Sequence, residues 1–255
     1  MTDLQGKTVL VTGGSKGIGA EIVRSLGAAG ASVIVHYGGD RAGAESAAAK
    51  IPPDRKHFVQ ADLKEASAVP ALWDAAVAWR GRVDVVVNNA AIMLWHGGME
   101  AADAAWDEVW SETLKVNVLA PAKLLRNAVR HFLKTGGGII VTLSSWSAQR
   151  GVTNPDTLAY GASKAAVRSL TQSIARAYAR DNILAYIVAP GVVRTQMSER
   201  FAATQGGEAV VSANLAMGEW VSPEELGELV AFLASGRMRH LSGATLDVNG
   251  ASYIR

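Results

Sequence analysis

The sequence predicts an α/β protein built on a doubly wound parallel sheet of about seven strands, with helices on both faces. Three observations predict it. Short β-branched apolar runs alternate with helical segments along the whole chain. The fourth run, Arg82–Val87, is near-continuously apolar, as a strand covered on both faces requires. The first run breaks into a glycine-rich turn that opens a helix. The 255 residues fit one domain, 1–255, with no repeat, linker or low-complexity tract.

The first strand is expected at Lys7–Thr12. It runs into Gly13-Gly14-Ser15-Lys16-Gly17-Ile18-Gly19, and an amphipathic helix follows with Ile18, Ile22, Val23 and Leu26 on one side. Strand, glycine turn and helix form the layout of a dinucleotide-phosphate site. Glycines let the backbone approach the pyrophosphate, and the helix start offers N–H groups and a positive dipole end. The spacing G-x-x-x-G-x-G departs from G-x-G-x-x-G, and a plain tight turn also fits it. The second strand is Ala31–Tyr37, followed by a helix over about 41–50. The third is His57–Ala61, ahead of Asp62-Leu63 and a helix over about 66–80. The fourth, Arg82–Val87, ends in Asn88-Asn89-Ala90-Ala91, polar residues suited to the crevice at the strand C-termini.

An apolar loop, Ile92–Met99, leads to a helix from Asp103 through Asn117 towards His131. The fifth strand, Gly138–Leu143, ends in Ser144-Ser145-Trp146-Ser147, and a helix is expected from Tyr160 to Arg180. The sixth strand, Ile183–Val188, closes on Ala189-Pro190-Gly191, and residues 195–217 read as loosely helical. Ser222 and Pro223 start a helix as cap and first residue. Ala244–Val248 is the last strand.

Composition narrows the possible functions. Apolar residues make up 49% and charged residues 19%, with net charge +2, which gives no electrostatic case for nucleic acid. The absence of cysteine excludes disulfides, thiolate zinc sites and cysteine nucleophiles, and fits a reducing cytoplasm. The N-terminus lacks the apolar core of a signal peptide, and no run approaches ~18 apolar residues, so no membrane span is expected. His96 has no metal-ligating neighbours in sequence and reads as polar surface; no metal site is expected.

The chemistry concentrates at Tyr160-Gly161-Ala162-Ser163-Lys164. Residues four apart on a helix share a face, so a phenol and an ammonium stand side by side. A free tyrosine has a pKa of about 10. A nearby cation lowers it and makes Tyr160 a usable acid/base. Y-x-x-x-K also occurs by chance in helices, so its context decides.

That context is an ordered series: T-G-G-S-K-G-I-G at 12–19, N-N-A-A at 88–91, Asn117, S-S at 144–145, Y-x-x-x-K at 160–164 and P-G-V-V-R-T at 190–195. Over nearly its full length the chain resembles the short-chain dehydrogenase/reductase family. The resemblance implies a Rossmann-like fold, a nicotinamide cofactor and a homotetramer or homodimer acting on a small-molecule carbonyl or alcohol. It implies that Tyr160 transfers the hydroxyl proton, that Lys164 lowers its pKa and holds the nicotinamide ribose, that Ser145 hydrogen-bonds the substrate oxygen, and that Asn117 anchors a water on the proton path. Ser147, thirteen residues before Tyr160, has the commoner family spacing; Ser145, fifteen before it, directly follows the strand, and Ser144 is a third candidate.

By the same resemblance the cofactor is held by Gly13, Ser15, Lys16, Gly17, Ile18, Gly19, Tyr37, Arg41, Asp62, Leu63, Asn89, Ala90, Ala91, Tyr160, Lys164, Pro190, Gly191, Val193 and Thr195. Several of these have a second reading. Asp62 also suits a cap, Thr195 equally suits the start of the next helix, and His36 is placed to touch the adenosine end. Met93, Trp95 and Trp146, on loops overhanging the strand ends, form the expected substrate pocket and favour apolar or aromatic substrates. NADP(H) is expected over NAD(H). Acidic residues that bind a ribose 2′-hydroxyl sit at the end of the second strand, and by resemblance that position is the uncharged Tyr37, with Lys16 and Arg41 nearby. Asp40, beside Arg41, is the residue that could face the ribose instead, and Gly39 stands where many NADP-using relatives carry arginine. A 3-oxoacyl-carrier-protein reductase, a cofactor-sensing protein without catalysis and a methyltransferase are the alternatives. The complete Ser/Tyr/Lys set speaks against the second, and Y-x-x-x-K and N-N-A-A against the third.

Overall fold

Strands that are apolar on both sides need cover on both sides, and the helices supply it. The structure, a computed structural model, describes residues 2–65 and 67–255. Its strands are β1 (Thr8–Val11), β2 (Ser32–Tyr37), β3 (Lys56–Gln60), β4 (Val85–Asn88), β5 (Gly138–Leu143), β6 (Ile183–Pro190) and β7 (Thr245–Val248). They form one seven-stranded sheet in the order β3-β2-β1-β4-β5-β6-β7, with every pairing parallel. All seven expected strands form, with ends shifted by a few residues at most.

Side chains along each strand alternate between two cores. Val9, Val11, Val33, Val35, Val85 and Val87 enter one. Leu10, Ile34 and Val86 enter the other. The first is covered by α1 (Gly17–Ala28) and α10 (Pro223–Ala234), the second by α3 (Ala68–Arg80), α5 (Ala120–Thr135) and α7 (Leu158–Ala177). The order of strands reverses direction at β1, which lies between β2 and β4. Such a switch point opens a crevice outside the strand C-termini.

The helices differ from expectation where the backbone has a local reason. The segment expected to run unbroken from 103 is α4 (Asp103–Leu114), a π-helical turn over Lys115–Leu119, and α5. The segment expected over 195–217 divides into α8 (Gln196–Thr204) and α9 (Glu208–Ala213), because Gly206 and Gly207 between them adopt φ of 92° and 102°. The helix expected over 41–50 is the shorter α2 (Arg41–Ala47), and α3 begins at Ala68; residue 66, where it was expected to start, lies outside the described residues. A single unforeseen turn, α6 (Ser147–Arg150), follows the serine motif. No helix among the described residues is long and apolar enough to cross a membrane.

Candidate active site

The glycine turn between β1 and α1 is tied to the ends of its neighbouring strands. Gly13 has φ of 67°, which glycine adopts without strain. A Cβ on Gly19 would lie 2.0 Å from the Gly13 carbonyl oxygen, so only glycine permits this crossing. The Thr12 hydroxyl accepts hydrogen bonds from the backbone N–H of Asn89 (3.0 Å) and Ala90 (3.1 Å). The Asn89 amide donates to the carbonyls of Thr12 (2.9 Å) and Gly13 (3.1 Å). The side-chain N–H groups of Asn89 therefore serve the turn, and this residue shapes the site from behind it.

His36 is buried in β2, where its Nδ1 accepts from the Gly13 N–H at 3.0 Å and its Nε2 lies 3.0 Å from the Ala61 carbonyl. An accepting Nδ1 fixes the neutral tautomer with the proton on Nε2. Burial holds its pKa below the ordinary histidine value, with the Ala61 bond acting the other way. His36 thus braces the turn with both ring nitrogens. Its signal in sequence was a polar residue within an otherwise apolar buried strand.

The start of α1 fits a phosphate. No side chain caps it, and no acidic residue occupies its first turn. Its leading N–H groups and positive dipole end are left to face an anion. Ser15, Lys16 and Gly17 border a surface cleft there. At the end of β2 the Tyr37 hydroxyl accepts from Arg41 Nη1 at 3.2 Å. The Arg41 guanidinium lies 4.8 Å from the Phe58 ring centre and donates to Glu45 at 2.7 Å. Asp40 caps α2 by accepting from the Gly43 N–H at 2.8 Å. The Asp62 carboxylate accepts from the Lys64 N–H at 3.0 Å, just ahead of which the chain passes Leu63.

The opposite half of the site stands on β5, β6 and α7. Lys164 is buried, and its Nζ donates to the Leu143 carbonyl at 2.8 Å. The Ser144 hydroxyl donates in return to the Lys164 carbonyl at 3.0 Å, which makes it a structural residue. Lys164 Nζ sits 5.7 Å from the centre of the Tyr160 ring. The ammonium therefore lies beside the ring and points at β5. Burial pushes the Tyr160 hydroxyl up to about 12, and its hydrogen bond with the Ser145 side chain pulls the other way. The expected lowering of this pKa by Lys164 is not what the arrangement produces. Burial drives the lysine itself down to about 8.

Ser145 occupies the centre of the serine motif. It shares a hydrogen bond with Tyr160, and its Oγ accepts from the Ser147 hydroxyl at 2.9 Å. Ser147 thereby supports Ser145, one step further from the tyrosine. Asn117 lies in the π-helical turn. Its side chain clamps the backbone of Ile92, accepting from the N–H at 2.9 Å and donating to the carbonyl at 2.8 Å, and donates to Ser163 at 3.0 Å. Its side chain thus holds the loop after β4 against α7.

A cavity of about 550 Å³ opens beside Ser145 and Tyr160. Met93 and Trp146 line it, with Val152, Met197, Phe201 and Leu215. Trp95 is absent from its wall. The chain turns at His96, whose φ is 69°, and Trp110 ties the loop to α4 by donating to the Gly97 carbonyl at 3.1 Å. The wall formed by α8 and α9 was missed in sequence, because a pocket assembled from distant segments has no local pattern. On the cofactor side, Trp146 N–H donates to the Pro190 carbonyl and Gly191 N–H to that of Val248. Val193 pairs with Val221 across an isolated bridge. Thr195 caps α8 by accepting from the Ser198 N–H at 3.3 Å, which supports the capping reading.

Comparison with known proteins gives a consistent result. Residues 13–251 match the family model described as enoyl-(acyl carrier protein) reductase. The chain is 36% identical to the 3beta-hydroxysteroid dehydrogenase 1 of Eggerthella lenta, over 99% of this chain and 95% of that protein. It is 32% identical to a 3-oxoacyl-[acyl-carrier-protein] reductase of Staphylococcus aureus, over 97% of this chain and 98% of that one. The crystal structure of a 3-ketoacyl-(acyl-carrier-protein) reductase from Brucella melitensis complexed with NADH superposes with a TM-score of 0.87. That match is 28% identical and covers 99% of this chain and 100% of the other.

The burial of Lys164 has a measurable consequence. Its folded pKa, about 8, lies below its ordinary 10.5. Between those values the unfolded chain holds a proton that the folded chain has released, so stability rises with pH across this window. The protein that keeps Lys164 should therefore gain stability relative to Lys164→Met between pH 8 and 10.5. Denaturant midpoints of both proteins across that range check it. Both proteins carry Tyr160→Phe, which removes the neighbouring phenol's titration from the comparison, and parallel pH curves would contradict the burial of a titrating lysine.

Proposed function

The chain belongs to the short-chain dehydrogenase/reductase family and is an oxidoreductase using a nicotinamide cofactor, and on that premise we propose that it reduces ketones with NADPH and oxidises the matching secondary alcohols with NADP⁺. The observation that carries the catalytic reading is that Ser145 and Tyr160 line one cavity together, with Lys164 buried beside the tyrosine ring. When bound, the nicotinamide supplies or accepts the hydride. The residues here do the rest. As a carbonyl becomes an alkoxide, negative charge grows on oxygen, and donors aimed at that oxygen stabilise it. Ser145 is placed to donate, and Tyr160 to donate and then release its proton. An alkoxide is a stronger base than a phenolate, so the proton leaves even a phenol raised to about 12. In the alcohol direction the same groups run in reverse. We assign Asn117 a positioning role, because its side chain fixes the loop after β4 against α7.

The apolar side chains in the cavity lining, Met93, Trp146, Val152, Met197, Phe201 and Leu215, support aryl or alkyl ketones over sugars, in keeping with the hydroxysteroid named for the Eggerthella relative. The preference for NADP(H) rests on the end of β2. A neutral phenol, Tyr37, stands where a carboxylate would repel a 2′-phosphate, and it holds the Arg41 guanidinium next to it. Asp40 is committed to capping α2. Lys16 adds a second cation in the turn. The NADH of the Brucella structure belongs to that protein, whose sequence is 28% identical over the alignment.

Tyr160→Phe should lower turnover by about 10²-fold or more with cofactor binding retained, as for loss of a general acid; near-normal turnover would sink the mechanism. Ser145→Ala should cost far more activity than Ser147→Ala. If only the second abolishes turnover, the roles of the two serines are exchanged. For the cofactor, kcat/KM with NADPH should exceed that with NADH on one ketone, and Lys16→Ala and Arg41→Ala should each shift the ratio towards NADH. Equal efficiencies in wild type would refute the preference.

A further inference from the structure

The cavity wall carries an asymmetry that the ketone chemistry does not use. Among the described residues lining it, Arg150 is the one formally charged side chain, and no carboxylate lines the wall. Arg150 ends the single turn α6, which begins two residues after Ser145. Trp146 and Arg150 are four residues apart and so lie on one face of that turn. The Arg150 guanidinium stacks on the Trp146 ring, 4.3 Å from its centre. Stacking on an aromatic face orients a guanidinium while leaving its N–H groups at the edge.

Nearby carboxylates do not neutralise it. Among the described residues, every ion pair within 4 Å uses other cations, and Arg150 is in none. Asp247, the carboxylate that contacts this segment, accepts instead from its neighbour Gln149 at 2.8 Å and from Arg255 at 2.7 Å. The result is an exposed, oriented and unpaired guanidinium at a pocket otherwise lined by apolar and neutral polar side chains. Its turn rises from the serine at the reacting end.

We infer that Arg150 is a specificity residue for the carboxylate of a keto acid or hydroxy acid, whose apolar body lies along Trp146 and whose carbonyl or hydroxyl reaches Ser145 and Tyr160. The inference rests on the carbonyl-reductase reading above for which end of the substrate reacts. Arg150 lines the same cavity as Ser145 and Tyr160, so one ligand can meet all three. A planar guanidinium takes a carboxylate with two parallel hydrogen bonds, a fit that an ester cannot reproduce.

The test pairs 4-acetylbenzoate with its methyl ester in wild type, Arg150→Gln and Arg150→Lys. Dissociation constants are measured by calorimetry with NADP⁺ bound, so that no reduction occurs, and kcat/KM is measured with NADPH. The two ketones differ in intrinsic reactivity, but that difference cancels when the acid-to-ester ratio is compared between proteins. Arg150→Gln should lower the ratio by roughly five- to tenfold in binding, the range for a charge-assisted pair at a partly exposed site. Arg150→Lys should retain part of it. Raising the salt concentration should weaken the acid and leave the ester unaffected, because screening acts only on the charged probe. A ratio unchanged by Arg150→Gln, no salt dependence of the acid, or no binding of the acid to wild type overturns the inference. Reduction of both ketones with no preference for the acid would leave the reductase reading standing alone. Selective binding of the acid without any reduction would remove that reading and keep the anion site.

Discussion

The rest of the site depends on one buried ammonium. Lys164 holds a charge away from water, which is costly unless the charge is hydrogen-bonded. The bond it makes is to the carbonyl at the end of β5, and Ser144 at that strand end returns a bond to the lysine's own carbonyl. This reciprocal clasp fastens the first turns of α7 to the sheet. One strand residue lower, Thr142 and Thr171 form a second buried pair across the same interface at 2.8 Å. Tyr160 is carried on α7 and Ser145 follows β5. The clasp between helix and strand therefore sets how Ser145 and Tyr160, the two groups proposed to meet the substrate oxygen, stand to each other.

The cofactor half follows a similar logic with different residues. Parallel strands leave their terminal backbone groups unpaired at the C-terminal edge, and buried groups of that kind must find partners. Thr12, Asn89 and His36 supply those partners, linking the turn after β1 to the ends of β4, β2 and β3. The turn is rigid because three strand ends hold it. Its glycines are needed for the close crossing of Gly13 and Gly19, and the phosphate-facing N–H groups of α1 remain uncommitted.

Much of this was legible in the sequence, for physical reasons that differ by element. A strand covered on both faces is written as an apolar run, which made the central strands visible, while the edge strands β3 and β7 carry polar residues and were marked by their short β-branched or aromatic runs. The ordered motifs carried the family, because six chemically distinct signatures at compatible spacings constrain far more than any one. Helix ends were less visible. The π-helical turn around Asn117 leaves the apolar pattern of the flanking helices intact, and the division of 195–217 depends on the φ of two glycines. Side-chain direction was least visible. Trp95 and Trp146 look equivalent as aromatic loop residues, yet only Trp146 lines the cavity, because the hydrogen bond from Trp110 ties the other loop to α4. The phenol's acidity was misread for the same reason. Residues four apart on a helix are neighbours, but spacing alone does not reveal that the ammonium points at a carbonyl.

That direction alters how the pair works. Near neutral pH, a lysine brought down to about 8 is still largely protonated, and a tyrosine raised to about 12 is fully so. The pair is then an ammonium and a phenol, with one uncompensated positive charge in a low-dielectric site. A cation in such a place has a high self-energy, which any negative charge developing nearby relieves. In the reaction proposed above, the alkoxide forming at Ser145 and Tyr160 is such a charge. The burial that makes the tyrosine a weak acid at rest also places beside it a cation whose hydrogen bond goes to a neutral carbonyl, that of Leu143. On the proposed mechanism the buried cation then interacts more strongly with the reacting state than with the resting one, and an interaction of that kind is what raises a rate.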